Sequence, residues 1–306
     1  MSSVLYDVPG PRAIARNRVI GVVTVALVVA FAAFVVWRFA ATGQLAPEKW
    51  SLFSYSLVWE NIALATLRTL GAFVVAAIGA LVLGFVLAIG RLSDHAVIRV
   101  PVAWIIELLR AVPVLIFMML LYYGLPVIGI KVPTYWAVVI ALIVYNGSVL
   151  AEVLRAGVES LPRGQKEAGY AIGLRKAGVM QLVLLPQAIR AMMPVIIAQL
   201  VVTLKDTALG FIITYPELLY QAKLLGSDAN FQRPLIPAAI VAGSIYLVLC
   251  LLLSYVAYRV ELRTRRSPKA TAVNAGPGTE PTTATETMAA ARGMGKFDGT
   301  SGVGGS

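Results

Sequence analysis

Cysteine and histidine are almost absent from this chain. Cys250 and His95 are the sole representatives of their types in 306 residues. A disulfide framework and a His- or Cys-based metal cluster are therefore excluded, and Cys250 reads as a small apolar packing residue. Charge is scarce as well. Only 13% of the residues are Asp, Glu, Lys or Arg, against about 25% in an ordinary soluble domain. A GxxxxGK[ST] phosphate loop is missing, so the chain has no site of its own for driving chemistry with ATP. What remains is apolar. Hydrophobic residues make up 59% and the mean hydropathy is +0.82. One soluble core of this length cannot hide that much apolar surface, and a water-soluble enzyme is excluded.

The uncharged stretches give the architecture. Arg18 to Arg38 encloses 19 uncharged residues, Arg68 to Arg91 encloses 22, Arg110 to Lys131 and Lys131 to Glu152 enclose 20 each, and Arg233 to Arg259 encloses 25. About 20 apolar residues cross a bilayer as a helix. A sixth stretch, Arg190 to Glu217, has membrane length but is interrupted by Lys205-Asp206. The expectation is an all-α polytopic membrane protein with six transmembrane helices, near 19–40, 64–90, 102–124, 133–153, 188–213 and 236–258.

Basic residues orient these spans. With a cytoplasmic N-terminus, 18 Lys and Arg fall in inside segments and 5 in outside segments; Arg68, Arg110 and Lys205 fall within or at the ends of spans. That asymmetry predicts both termini in the cytoplasm. It also accounts for most of the net charge of +11 without nucleic acid. Residues 1–18 form a cytoplasmic segment, and 19–41 a retained helix with an apolar run longer than a signal peptide's. From Ser267 to Ser306 the chain turns to Ala, Thr, Gly, Pro and Ser with one aromatic, Phe297. Such a composition buries too little to offset its ordering entropy, and a disordered cytoplasmic tail is expected.

Within the spans, Ala72, Ala76, Ala80, Gly84 and Ala88 place a small residue at every fourth position, a stripe that lets another helix approach closely. Pro113 and Pro194 sit inside spans three and five, where a missing backbone donor invites a kink. Lys205 and Asp206 are ionisable groups at membrane depth, where function or a buried partner is the default expectation. Being adjacent, they project about 100° apart on a helix. The expected substrate path is built on Lys205, with its ammonium toward a carboxylate, and Asp206, with Thr203, Thr207 and Asn146 as further polar wall groups. Outward snorkelling of Lys205 is the alternative.

The loop between spans four and five, Arg155 to Pro186, is too long for a turn. After the breaker Leu161-Pro162-Arg163-Gly164, residues Gln165 to Leu174 can form a short helix. On it Ala168 and Ile172 share one face, and Gly169 and Gly173 lie together at i,i+4. Two glycines weaken a helix; close approach of another surface is their expected use. A docking knob for a soluble partner and a surface helix lying on its own bundle both fit.

Glu167-Ala168-Gly169, then Gly173, then Val183-Leu184-Leu185-Pro186 at the right spacing resembles the EAA loop of ABC importer permeases. Gly169 replaces the third alanine and Val183 an isoleucine. Glu152 to Gly157, Gly164-Gln165, Leu185 to Ala188, Leu204 to Leu209 and Glu107 to Pro113 are similar to the polar amino acid branch, which usually has R-G-T-P where this chain has Arg110-Ala111-Val112-Pro113. The resemblance spans residues 60–260 and is strongest to actinobacterial glutamate importer permeases. It implies a type I importer fold with a five-helix core, the span at 19–41 being extra, and a plasma-membrane location. It also implies a function: the permease subunit of an ATP-driven importer for polar amino acids, L-glutamate foremost. The implied partners are a cytoplasmic ATPase dimer, a sister permease (a heterodimer, with a homodimer as alternative) and an extracytoplasmic amino-acid-binding protein. No cofactor is implied, and the chain itself is not an enzyme. Glu167, Ala168, Gly169, Gly173, Leu185 and Pro186 would couple to the ATPase within the loop 155–186. Pro216 to Leu225 would form a short outer helix, as a gate under the binding protein or as an interfacial helix anchored by Tyr220. A stand-alone channel or secondary transporter is the competing class, though it needs no such cytoplasmic knob.

Overall fold

The computed structural model describes residues 10–265. These residues fall in one compact unit that runs to Arg265. The expected tail at 267–306 and the first part of the 1–18 segment lie outside them. Among the described residues the structure is helical throughout, with no strand. Five helices are long and apolar enough to cross a membrane, and a bent pair brings the number to six.

The spans are α1 (Pro11–Ala41), α2 (Ser56–Arg91), the pair α3 (Ala96–Ala111) and α4 (Val114–Met119, continued in helical turns to Ile128), and α5 (Thr134–Glu159). After the loop helix α6 (Arg163–Ala171) comes the long span Lys176–Ile213. It is π-wound at Val179–Leu184, α-helical as α7 (Leu185–Asp206) and tightened to a 3-10 coil at Thr207–Ile213. The short helix α8 (Leu218–Gly226) leads into α9 (Leu235–Arg265). Most helices overrun the apolar stretches from which they were expected, because a charged residue ends a hydrocarbon span without ending a helix.

The small-residue stripe explains the centre. Ala72, Ala76, Ala80 and Ala88 of α2 are at most 1% exposed. They pack against α5 through Ala137 to Leu142 on one side of the membrane and Leu150, Ala151 and Leu154 on the other. A Cβ on Gly84 would lie 2.8 Å from Leu150 Cβ and 3.0 Å from the Gly147 carbonyl oxygen. Packing this close is how helices associate where lipid removes the hydrophobic driving force. By contrast, α1 buries no residue at all.

Pro113 breaks span three. Val112 is extended at φ −89°, ψ 123°, as steric conflict with the following proline ring demands, and α3 and α4 meet at 92°. The Pro113 carbonyl then accepts from Ile116 and Phe117, restarting the helix. Pro194 has no such effect. The helix runs on across it from Leu185 to Asp206 without a break.

Candidate functional site

The bend, α5 and α7 enclose a cleft of about 550 Å³ lined by Arg110, Pro113, Tyr145, Gln199, Val202 and Asp206, among others. Arg110 reaches it from the last turn of α3 because the Val112–Pro113 break redirects the chain there. Asp206 ends α7 and is half-buried. Arg110 and Asp206 thus line one cleft with opposite charge, and no ion pair joins them. The wall is set from behind. Asn146, fully buried, donates from Nδ2 to the Leu142 carbonyl at 3.0 Å and accepts from Gln199 Nε2 at 2.7 Å. That hydrogen bond fixes α7 against α5.

Of the five residues expected on the path, Asp206 alone lines this cleft. Lys205 is exposed and lies off its lining, as the angle between adjacent helix positions requires. Thr203 and Thr207 are fully buried and turn their hydroxyls back on their own helix, to the Gln199 and Leu204 carbonyls at 2.9 and 2.6 Å. Sequence reasoning missed Gln199 and Tyr145 and gave Arg110 no role on the path. Arg110 was visible as a charge at the end of a span, whereas Gln199 carries no pattern that separates it from any interfacial glutamine.

The loop helix differs from expectation at its end. It stops at Ala171, and Gly173 adopts φ +82°. The Gly173 amide donates to the Tyr170 carbonyl and the Leu174 amide to the Gly169 carbonyl, the paired bonds of a helix ended by a left-handed glycine. The two glycines therefore do not share a helical face. Gly173 has open space where a Cβ would stand; its task is termination. Gly169 is the buried one, and a Cβ there would lie 2.9 Å from Val179 Cγ2. The close approach is to the chain's own π-wound turn. Val179 packs in turn with Val158, Leu184, Leu185 and Ala188, which puts Leu185 in a core and leaves Pro186 exposed. Glu167, Ala168, Ala171 and Ile172 remain exposed, Ile172 at 77%. One face of α6 rests on the bundle and the other is open.

Ion pairs brace the same end of the molecule. Glu152 accepts from Arg91 at 3.3 Å and from Arg155 at 2.8 Å, and Arg155 also pairs with Glu159. Lys176 pairs with Asp94 and donates to the Leu92 carbonyl at 3.5 Å, tying the start of the long span to the α2–α3 turn. The Lys176 ammonium, hydrogen-bonded to Asp94, holds that carboxyl below its usual range. At the opposite end Glu217 caps α8 from a fully buried position. Burial pushes its carboxyl above the usual range, although Leu219, Tyr246 and Tyr220 all donate to it.

Comparison with known proteins gives one result throughout. The family described as binding-protein-dependent transport system inner membrane component matches residues 80–266. The glutamate transport system permease protein GluD of Corynebacterium glutamicum is 41% identical over 231 residues, covering 74% of this chain and 83% of that protein. The arginine transport system permease protein ArtQ of Bacillus subtilis is 33% identical, covering 64% of this chain and 89% of its own length. Among solved structures, an amino acid ABC transporter crystallised with histidines aligns at TM-score 0.62 and 28% identity, over 70% of this chain and 97% of that one. The MetNI methionine transporter aligns at TM-score 0.57 and 18% identity, over 69% and 99%, a likeness of fold alone.

Proposed function

The chain belongs to the family of binding-protein-dependent transport system inner membrane components, the permeases of ABC importers, and from that membership we propose that its cargo is a polar amino acid, L-glutamate first. The observation that carries the reading is α6: a short helix seated by Gly169 on Val179 with its far face open. A self-contained channel or secondary transporter has no use for such a face, and the relatives favour the permease over that class.

The proposed mechanism follows from the connections. A partner ATPase docks on Glu167, Ala168 and the neighbouring Ala171 and Ile172. Its closure pushes α6, and Gly169 against Val179 passes the displacement into the long span that begins at Lys176. That span carries Gln199 and Asp206, so a rigid push at one end moves the wall of the cleft at the other. Rocking of this kind is alternating access driven by a rigid-body input. In the cleft, Arg110 offers its guanidinium fork to a carboxylate and Asp206 faces the α-ammonium. Lys205 supplies a second cation from the adjacent face when the span turns, with Asn146, Thr203 and Thr207 holding the wall's shape. The outer helix α8 serves as a gate beneath an extracytoplasmic binding protein. Both termini lie in the cytoplasm, and a sister permease completes the path.

Reconstitution of the chain with its sister permease, ATPase and binding protein tests the proposal. ATP-dependent uptake of L-glutamate above glutamine, aspartate and arginine is expected. Preferential uptake of arginine or glutamine would reassign the cargo, and uptake without any ATPase would overturn the permease reading. Within the complex, Asp206→Asn and Arg110→Ala are expected to cut uptake at least about tenfold, as loss of a charge-assisted contact does. Lys205→Ala should reduce it less.

A further inference from the structure

At the outer end of the bundle, a buried carboxylate is cut off from solvent and forms no ion pair among the described residues, the Arg68 guanidinium reaching only the neighbouring Pro216 carbonyl at 3.5 Å. Glu217 is 0% exposed. It accepts from the Leu219 and Tyr220 amides at 2.7 Å each and from the Tyr246 hydroxyl at 2.7 Å. The two amides belong to the first turn of α8, and Tyr246 stands in α9. A second tie comes from α2, where the Thr69 hydroxyl accepts from the Leu218 amide at 3.1 Å and donates to the Ala65 carbonyl at 3.1 Å. The Tyr215 hydroxyl adds a third by donating to the Arg68 carbonyl at 2.9 Å. Residues 215–220 are thus held by directional bonds from two spans.

A helix cap alone does not call for this. Ser, Thr, Asp and Asn cap helices from the surface, and glutamate is not among the favoured caps. Burying a carboxylate costs more than an exposed cap returns, unless all its donors are present together. Here the helix N-terminus supplies two and α9 the third. Leu218 and Ala222 pack α8 on Leu52, Val58, Ile62 and Ala242 through apolar contact, and Lys223 lies over the Phe211 ring at 5.6 Å. Apolar contact is non-directional and lets a short helix slide. The hydrogen bonds fix its position.

We propose that Glu217 is a positioning residue that locks α8 to α9, with Thr69 locking it to α2, so that the outer helix moves as one body with two spans during transport. This rests on the permease reading. With the lock intact, rocking of the spans carries the outer helix along. Without it, the ATPase cycles while the outer end fails to follow.

The test uses the assembled complex in proteoliposomes, comparing wild type with Glu217→Gln, Tyr246→Phe and the double variant. Glu217→Gln sets an N–H donor against donors that need an acceptor. Basal and binding-protein-stimulated ATPase activity are expected to stay within about twofold, while uptake, and with it uptake per ATP hydrolysed, falls about tenfold or more, as loss of a hydrogen bond to a charged group predicts. Tyr246→Phe should show a smaller loss of the same kind. The double variant should be little worse than Glu217→Gln, since both remove one interaction. Wild-type uptake per ATP hydrolysed in both single variants would overturn the lock. So would a parallel loss of assembly and basal ATPase in both, which would make Glu217 purely structural. A wild-type complex that takes up no amino acid with ATP would overturn the permease reading instead.

Discussion

Gly169 and Gly173, five and nine residues past the breaker that ends at Gly164, look interchangeable in sequence, yet they are held by different physics. Gly173 sits at φ +82° with nothing within 4 Å of a would-be Cβ. Its replacement is penalised by backbone conformation, about 1–2 kcal/mol for an L-residue in the left-handed region, and side-chain size should matter little. Gly173→Ala and Gly173→Leu are therefore expected to lower uptake equally, and Gly173→Asn less. A loss that scaled with volume would show that a docked partner fills the space. Gly169 behaves in the opposite way. Gly169→Val must displace Val179, tilting α6 off the bundle, and ATPase co-purification should fall with uptake. Asp94 supplies a pH dependence at the same scale. Its carboxyl titrates below the ordinary value of 3.8 because of Lys176, so the tie is complete above that value and is lost as pH falls through the depressed one. Protection of the amides at residues 174–180 against hydrogen exchange, taken relative to the intrinsic rate at each pH, should fall in acid, and Asp94→Asn should show the lower protection at every pH.

Among elements, legibility followed the range of the interaction. Helix number, the stripe from Ala72 to Ala88 and the break at Pro113 were readable because each depends on neighbours along one helix. That Pro194, unlike Pro113, leaves its helix uninterrupted was not readable, since whether a span breaks at proline depends on what packs around it. The boundary of α6 was missed because helix periodicity continues through Gly173, while the left-handed turn follows from backbone bonds that periodicity does not encode. Arg91 with Glu152, Gln199 with Asn146 and Tyr246 with Glu217 join residues far apart in sequence, and no spacing announces them. The stripe can be tested within one helix. Gly84→Leu places atoms against Leu150 Cβ and the Gly147 carbonyl, neither of which can swing aside, and overpacking of this kind costs about 1–3 kcal/mol. Gly71→Leu, on the same helix with nothing within 4 Å, should leave thermal stability in detergent unchanged. Equal effects at the two sites would deny the stripe its packing role.

For the whole molecule, topology is the property to test first. Cysteine labelling in a Cys250→Ala background, at residue 12 and at residue 270, should find both positions shielded from an impermeant reagent in intact cells; labelling of either would reverse the assignment. The helices also differ in how much they need one another. Half or more of α5's apolar window is buried, 61%, whereas none of α1's is. A helix with a window hydropathy of 3.0 and no contact to wait for is stable in lipid alone. It leaves the ribosome before the five spans that follow. Span three, split at Val112–Pro113 and carrying Arg110, has no such independence, for its bend and its charge are tolerable only once α5 and α7 surround them. An order of insertion is therefore expected: α1 can settle by itself, the broken span only once α5 and α7 have been made, and the cleft not before synthesis has passed residue 206.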